Sequence, residues 1–360
     1  MLLRASHFAP IAIYPAIAVL ALFLLAPAVQ SAGEVSPRGR FITTAAIVSN
    51  PITHKIYAVN EGAASVTVIG ATTGVLHTVA VGREPIAIAV NHSTNRIYVV
   101  NSGSASVSVI DGKNDAVVAT VPVARLPYML AVDETARKVY VTHTYAGSVT
   151  VIDETTDRAT SLKIGDADAL AIDPLKGKVF LSTYEDPDIR ILDDASGALV
   201  KVAVGPHVWG MVYDDSSSTL YLAHTATDEI VALNEDSHAM RTIHVGKIPC
   251  ALAIDPERRR LYVVNYGDDT LSIIDLQSHT VSATLPVGRQ PEGVAVDSKA
   301  DRVYVANLHD DNVTVIDAAK DVIIGTRSAG HHPYAMAIDS RSEAPYAANY
   351  GAPWVTPVGR

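Results

Sequence analysis

The sequence predicts an all-β fold, a β-propeller of about eight four-stranded blades, on three observations. An aromatic residue recurs as Tyr57, Tyr98, Tyr140, Phe180, Tyr221, Tyr262, Tyr304 and Tyr346, always 40 to 42 residues from the next. Seven residues before each stands a turn former: Asn50, Asn91, Asp133, Asp173, Asp214, Asp255, Asp297 or Asp339. Between these marks lie short runs of alternating small, branched and polar residues. A fixed period of this length identifies a repeat architecture, and short alternating runs identify its elements as strands.

One unit shows the elements in order. Pro291–Asp297 alternates small and branched residues into an Asp. Arg302–Asn307 and Asn312–Asp317 repeat the pattern, and Val322–Gly325 begins a fourth run. Asp and Asn close these strands because their side chains bond nearby backbone amides and stabilise the turn. A sheet of four such strands has two apolar faces that it cannot bury alone. Radial stacking of neighbouring sheets covers them and leaves only short edges. A parallel β-helix has shorter rungs and does not fit the period.

The eighth unit stops at Arg360, just after its third strand, so one outer strand is wanting. The stretch from Glu34 to Arg40 lies where that strand would be supplied, which predicts a ring closed by overlap of the two ends. Pro37 and Gly39 are poor strand residues, and seven blades is the alternative.

The chain of 360 residues is 48% hydrophobic and 18% charged, a core-rich composition that excludes a disordered chain. Its formal net charge of −10 disfavours nucleic acid and anionic lipid as partners. Residues 1–32 read as a signal peptide: Arg4, an apolar run from Ile11 to Leu25, then small residues through Ala32. The run to Val29 is nearly long enough to span a bilayer, so an uncleaved anchor is the rival reading. With the signal removed, 33–360 is expected to be one exported propeller domain, periplasmic, secreted or at the cell surface, monomeric and without a membrane span. Cys250 is the only cysteine, so no intrachain disulfide can form.

The second strand of the unit reads Tyr-Val-Val-Asn at 98–101 and 262–265, Tyr-Val-Ala-Asn at 304–307 and Tyr-Ala-Val-Asn at 57–60. With the flanking Val-Gly-x-x-Pro and Val-x-Val-Ile-Asp elements, the chain resembles the YVTN-family β-propeller repeat proteins. The resemblance implies a propeller and an exported or surface-associated setting, and is nearly silent about activity. Unit four departs most from the pattern, with Phe180-Leu-Ser-Thr183 for the aromatic motif and Asp168 where Pro is expected.

Strand direction sorts the loops. The loop entering the first strand and the loop joining the second and third strands open on one end of the ring. That end carries Arg83, Arg125, Asp166, His207, Lys247, Arg289, His331 and His332 in its entry loops, and His143, Tyr145, Tyr184, His224, Tyr266, His309 and Tyr350 between strands. His143 and His224 stand where the repeat prefers Asn. They either cap the same turn or contribute to a site. At the mouth of the channel the ring reads Ala45, Ile86, Tyr128, Asp168, Trp209, Cys250, Glu292 and Tyr334. Aromatic and acidic residues mixed there suggest a concave site that stacks and hydrogen-bonds a ligand. The Asp turns of the opposite end read as solvated turns. Arg83, Arg125 and Arg289 read as surface charge or as a basic ring around the mouth.

No motif with self-contained chemistry is present: no Gly-x-Ser-x-Gly, His-Glu-x-x-His, phosphate loop or haem attachment site. The leading expectation is a non-catalytic scaffold, without cofactor, that binds a protein, glycan or small ligand through Tyr128, Asp168, Trp209, Glu292, Tyr334, His143, His224, Arg83, Arg125 and Arg289. The alternative is a metal-dependent hydrolase or lyase, with the architecture of the streptogramin lyases, holding a divalent metal on His143, His207, His224, His331 or His332. Against it, adjacent extended residues such as His331 and His332 cannot point both rings at one ion.

Overall fold

The computed structural model describes residues 46–70, 73–74, 76–351 and 354–359. The propeller lies within the unit Ile42–Arg360. The expected signal peptide and the expected closing strand at 34–40 lie outside the described residues. No helix among the described residues is long and apolar enough to cross a membrane.

Eight antiparallel sheets follow one another in chain order, which settles the count at eight blades against seven. Seven have four strands, and the eighth, Pro333–Ile338, Pro345–Asn349 and Val355–Pro357, has three among the described residues. Blade seven is typical: Pro291–Asp297, Arg302–Asn307, Asn312–Asp317 and Val322–Ser328, joined by tight hairpins. Burial grades outward across it, from a second strand buried over most of its length to a fourth strand that alternates with solvent.

The core follows the logic of the stack. Most apolar clusters are drawn from two neighbouring blades: one joins Val100 and Val107 of blade two to Val139 and Ile152 of blade three, another joins Tyr304 and Val313 of blade seven to Met336 and Ala347 of blade eight. The ring closes the same way, because Ile47 and Tyr57 of blade one share a cluster with Tyr334, Tyr346 and Val355 of blade eight. His54 Nδ1 and Asp339 Oδ1, 3.2 Å apart, add a polar contact at that seam.

The repeated residues are each held by packing. Six of the eight repeat aromatics, Tyr57, Tyr98, Tyr140, Phe180, Tyr221 and Tyr262, are fully buried. The Tyr57 hydroxyl donates to Asp115 Oδ1 of the next blade at 2.6 Å, and Lys55 Nζ reaches the same carboxylate at 2.8 Å. The Asn ending the second strand is a latch: Asn101 donates to Ser108 Oγ, Asn265 to Ser272 Oγ and Asn307 to Thr314 Oγ1, all at 2.9 Å. The Gly of the Val-Gly-x-x-Pro element answers to that latch. A Cβ at Gly82, Gly246 or Gly288 would sit 2.6 to 2.7 Å from the Asn side chain, so only glycine fits.

At the opposite end the residues that close the first strands differ from their expected solvation, while Asp153 and the Pro256-Glu257 turn are exposed as expected. Asn50, Asn91, Asp255 and Asp339 are fully buried, and Asp133 Oδ1 accepts the amides of Thr135 and Ala136 at 2.9 and 2.8 Å. The neighbouring blade covers the first hairpin, so its carboxylate must be satisfied by backbone rather than by water.

Candidate functional site

Loop pairing fixes the end on which a site is built. The Ser102 amide donates to the Glu84 carbonyl at 2.9 Å, Leu308 to Gln290 at 3.0 Å and Tyr350 to His332 at 3.1 Å. Entry loop and inter-strand loop therefore meet at one end in each of these blades. The entry loops turn through a residue of left-handed conformation before the first strand, at Glu84, Leu126, His207, Ile248, Gln290 and His332.

The first strand then breaks register in a consistent way. Pro85 pairs with Asn101 and Ala87 with Val100, which leaves Ile86 as the extra residue of a β-bulge. The same shift leaves Trp209, Cys250, Glu292 and Tyr334 unpaired in blades five to eight, and in blade three it falls across Tyr128 and Met129. A bulge re-aims its extra side chain out of the ladder. Here it supplies the ring of mouth residues. Blade four has no bulge; Asp168 lies just before its first strand, and its amide donates to the Ser182 carbonyl at 2.8 Å.

The mouth has two unlike sectors. In blades six to eight it is built from two tyrosines, a thiol and a carboxyl. Tyr334 is buried and its ring lies 4.5 Å from that of Tyr350. Cys250 Sγ lies 3.7 Å from the Val264 carbonyl, and burial pushes its thiol well above the ordinary range. Glu292, half-buried beside them, makes no hydrogen bond or ion pair among the described residues, and burial alone pushes its carboxyl up to about 8. In blades three to five the mouth carries aromatic rings and a hydrogen-bonded carboxyl. Tyr128, Asp168, Tyr184 and Trp209 are half-buried. Tyr184 meets the Trp209 ring edge-on at 5.8 Å and the His207 ring at 4.9 Å. Asp168 accepts the Tyr184 amide at 3.0 Å and the Thr144 hydroxyl at 3.3 Å, and burial raises its carboxyl above the usual range despite them.

The state of Glu292 makes a test of this packing. From its ordinary value of 4.5 up to about 8, the folded state keeps a proton that the unfolded chain has released, so stability falls as pH rises through that window. Glu292→Gln cannot ionise and removes that slope. Thermal melts of the two proteins should converge toward pH 4.5 and separate by about 5 kcal/mol in favour of the variant at pH 9. A pH-independent difference would mean that Glu292 is solvated.

The remaining sequence candidates have structural partners. His143 is fully buried, its Nδ1 donating to the Arg125 carbonyl at 3.1 Å and its Nε2 accepting from the Thr150 hydroxyl at 2.8 Å. It therefore replaces Asn in the latch, and burial lowers its pKa. His224 Nδ1 donates to the Pro206 carbonyl at 3.0 Å, while its Nε2 is buried without a partner because Val231 stands where other blades carry a hydroxyl. Arg83 and Arg125 each donate to a carbonyl of the facing loop at 2.9 Å, Gly103 and Tyr145 respectively. Arg289 reaches the His309 carbonyl at 3.2 Å and Asp310 at 2.6 Å. These guanidinium groups tie loop to loop around the rim.

Of the five histidines weighed as metal ligands, only His331 and His332 come together with a third ligand among the described residues, Asp311. His143, His207 and His224 join no such group. The expectation that the adjacent rings diverge is corrected here: His332 has φ 51°, not an extended conformation, and the two ring centroids are 3.8 Å apart. Asp311 lies in the Asp-rich stretch Leu308–Asn312, which is too short for a helical-hand calcium loop and is not among the expected ligands, although Asp228, Asp269 and Asp311 recur at matching positions of three successive units.

At the opposite end, among the Asp turns, the channel opens into a cavity of about 470 Å³ lined by Ile47, Val90, Val296 and Ile338, with Ser49 and His92 as its polar groups.

No family model and no curated protein matches the chain. Solved structures do. Kuenenia stuttgartiensis hydrazine synthase is 18% identical with a TM-score of 0.60, over 91% of this chain and 99% of that one. The dihydro-heme d1 dehydrogenase NirN, in complex with DHE, is 15% identical with a TM-score of 0.71, over 86% of this chain and 74% of that one. The computationally designed protein Ika8 is 12% identical with a TM-score of 0.72, over 88% and 97%. A designed protein matches as well as the natural ones, so the likeness is one of fold.

Proposed function

We propose that the chain is a non-catalytic binding scaffold that holds a ligand at the channel mouth on the inter-strand-loop end, through Tyr128, Asp168, Tyr184 and Trp209, with Glu292 at the neck. The observation that carries this reading is the bulge in successive first strands. It takes the mouth residue out of the hydrogen-bond ladder, and the positions so displaced vary as Ile86, Tyr128, Trp209, Cys250, Glu292 and Tyr334 while the rest of the repeat stays regular. Ile86 and Tyr334 pack into the blade clusters, whereas Tyr128, Trp209, Cys250 and Glu292 keep part of their surface accessible to a ligand. Aromatic rings beside a carboxyl suit a small polar molecule with a flat or cationic face, or a glycan, since both use stacking and hydrogen bonds. The YVTN-type repeat and the apolar run before residue 33 support a place outside the cytoplasm.

The chain has two tryptophans, Trp209 and Trp354, so Trp354→Phe leaves the mouth ring as the only indole reporter. Titration of that variant with tetramethylammonium and with chitin and glucan oligomers is expected to give a saturable change in Trp209 emission for one probe class. Tyr128→Ala with Asp168→Asn should weaken it at least about 10-fold, as loss of a stacking ring and a charged hydrogen bond requires. Emission that no probe saturates, or saturation unchanged in the double variant, would place the ligand elsewhere.

A further inference from the structure

We infer that Asp311, His331 and His332, where blades seven and eight meet on the inter-strand-loop end, form a binding site for a first-row divalent cation such as zinc. The repeat itself supplies the carboxylate. In three successive blades an Asp of left-handed conformation in the inter-strand loop accepts the amide of the next entry loop: Asp228 from Ile248 at 2.9 Å, Asp269 from Gln290 at 2.8 Å and Asp311 from His332 at 2.8 Å. That bond uses one oxygen and is structural. The entry-loop residues differ. After Gly246 and Gly288 stand Lys247-Ile248 and Arg289-Gln290, whereas after Gly330 stand His331 and His332. Only at this junction, then, does the second carboxylate oxygen face imidazoles: His331 Nδ1 lies 3.1 Å from Asp311 Oδ2.

The geometry suits a metal better than an ion pair. Ligand atoms of the three residues lie within 4.8 Å of one another, a span one cation can bridge by drawing them to bonding distance of about 2 Å. The His309 ring, 5.8 Å from that of His332, stands near enough to serve as a fourth ligand, or leaves that position to water. Two or three imidazoles with one carboxylate select zinc, copper, nickel or cobalt over magnesium or calcium, which take oxygen. The site is on the rim and is separate from the mouth residues of blades three to five.

The repeat provides its own test variant. His331→Arg with His332→Gln writes the residues of blade seven into blade eight, so the loop keeps a sequence the fold already accepts. Purified untagged protein, stripped with chelator, is titrated with zinc against a chromophoric chelator, and with cobalt(II) by visible absorption. The wild type should bind one ion per chain at this site. The double variant should lose more than the roughly 10–100-fold that loss of an outer-shell partner costs, with an unchanged melting temperature in the absence of metal. Asp269→Asn, which neutralises the matching carboxylate where no histidine stands and keeps an acceptor for the Gln290 amide, should leave zinc affinity unchanged, and Asp311→Asn should lower it. Wild-type protein that does not compete for zinc, a double variant that binds as the wild type does, or Asp269→Asn as damaging as Asp311→Asn would each overturn the site.

Discussion

Gly293→Ala is expected to destabilise the propeller by about 3 kcal/mol, since overpacking against an unyielding neighbour costs this much. An added Cβ would lie 2.6 Å from the Tyr334 carbonyl oxygen and 3.0 Å from Ala335 Cα, both backbone atoms of the next inner strand. Neither can rotate away. Gly210→Ala meets the Cys250 carbonyl oxygen at 2.6 Å and should behave alike. Each glycine directly follows a bulged mouth residue, at the position occupied in other blades by the buried Ala87, Ala251 and Ala335. The inner strands thus approach more closely after blades five and seven than elsewhere in the ring. Gly62→Ala is the control, because its new Cβ finds only the Trp354 ring at 3.4 Å. Urea denaturation should show the two inner-strand variants shifted strongly and Gly62→Ala within about 0.5 kcal/mol of the parent.

Arg190→Ala should cost about 3 kcal/mol, a loss of the size expected when buried polar groups lose a charged partner. Arg190 is 3% exposed, and stands where other blades carry the Ser or Thr of the latch. Thr183 takes the place of the Asn. The guanidinium fills that space and donates to the Ile164 carbonyl at 2.7 Å and to the Asp166 carbonyl. Burial lowers its pKa, partly offset by Asp186, Asp166 and Asp168. Truncation leaves both carbonyls unsatisfied and removes the cation nearest the Asp168 carboxyl. Thr183→Asn with Arg190→Thr writes in the latch of Asn307 and Thr314, and should recover a substantial part of the loss in the same denaturation experiment. Recovery no better than Arg190→Ala would show that blade four depends on the cation itself.

The architecture was legible because packing demands the same residue in every unit. A buried ring, an Asn latch and the glycine facing it recur since each blade must fit the next, and such constraints print themselves as a period. The site was legible only in part. That Tyr128, Trp209 and Glu292 share a ring follows from counting; that a bulge re-aims them does not, for a bulge changes hydrogen-bond register and leaves no distinct residue type. His143 stood out by replacing Asn, yet imidazole satisfies the latch through Arg125 and Thr150 and so is absorbed into structure. His331 and His332 were set aside on the assumption of extended backbone, and the left-handed turn at His332 reverses that geometry. Of the opposite turns, those closing the first strands are buried rather than solvated, because sequence does not show which hairpin a neighbouring blade covers.

The measurement that tests the account most directly asks which end of the channel holds the ligand. The Trp354→Phe protein is titrated with the probe that changes its emission, alongside two variants of it: Tyr128→Ala at the mouth, and Ala295→Leu, which fills the apolar cavity of about 470 Å³ at the Asp-turn end. The binding-scaffold reading predicts loss of affinity for Tyr128→Ala and none for Ala295→Leu. Binding that survives at the mouth variant and disappears when the cavity is filled would contradict it, and would move the functional end of the propeller to the Asp turns.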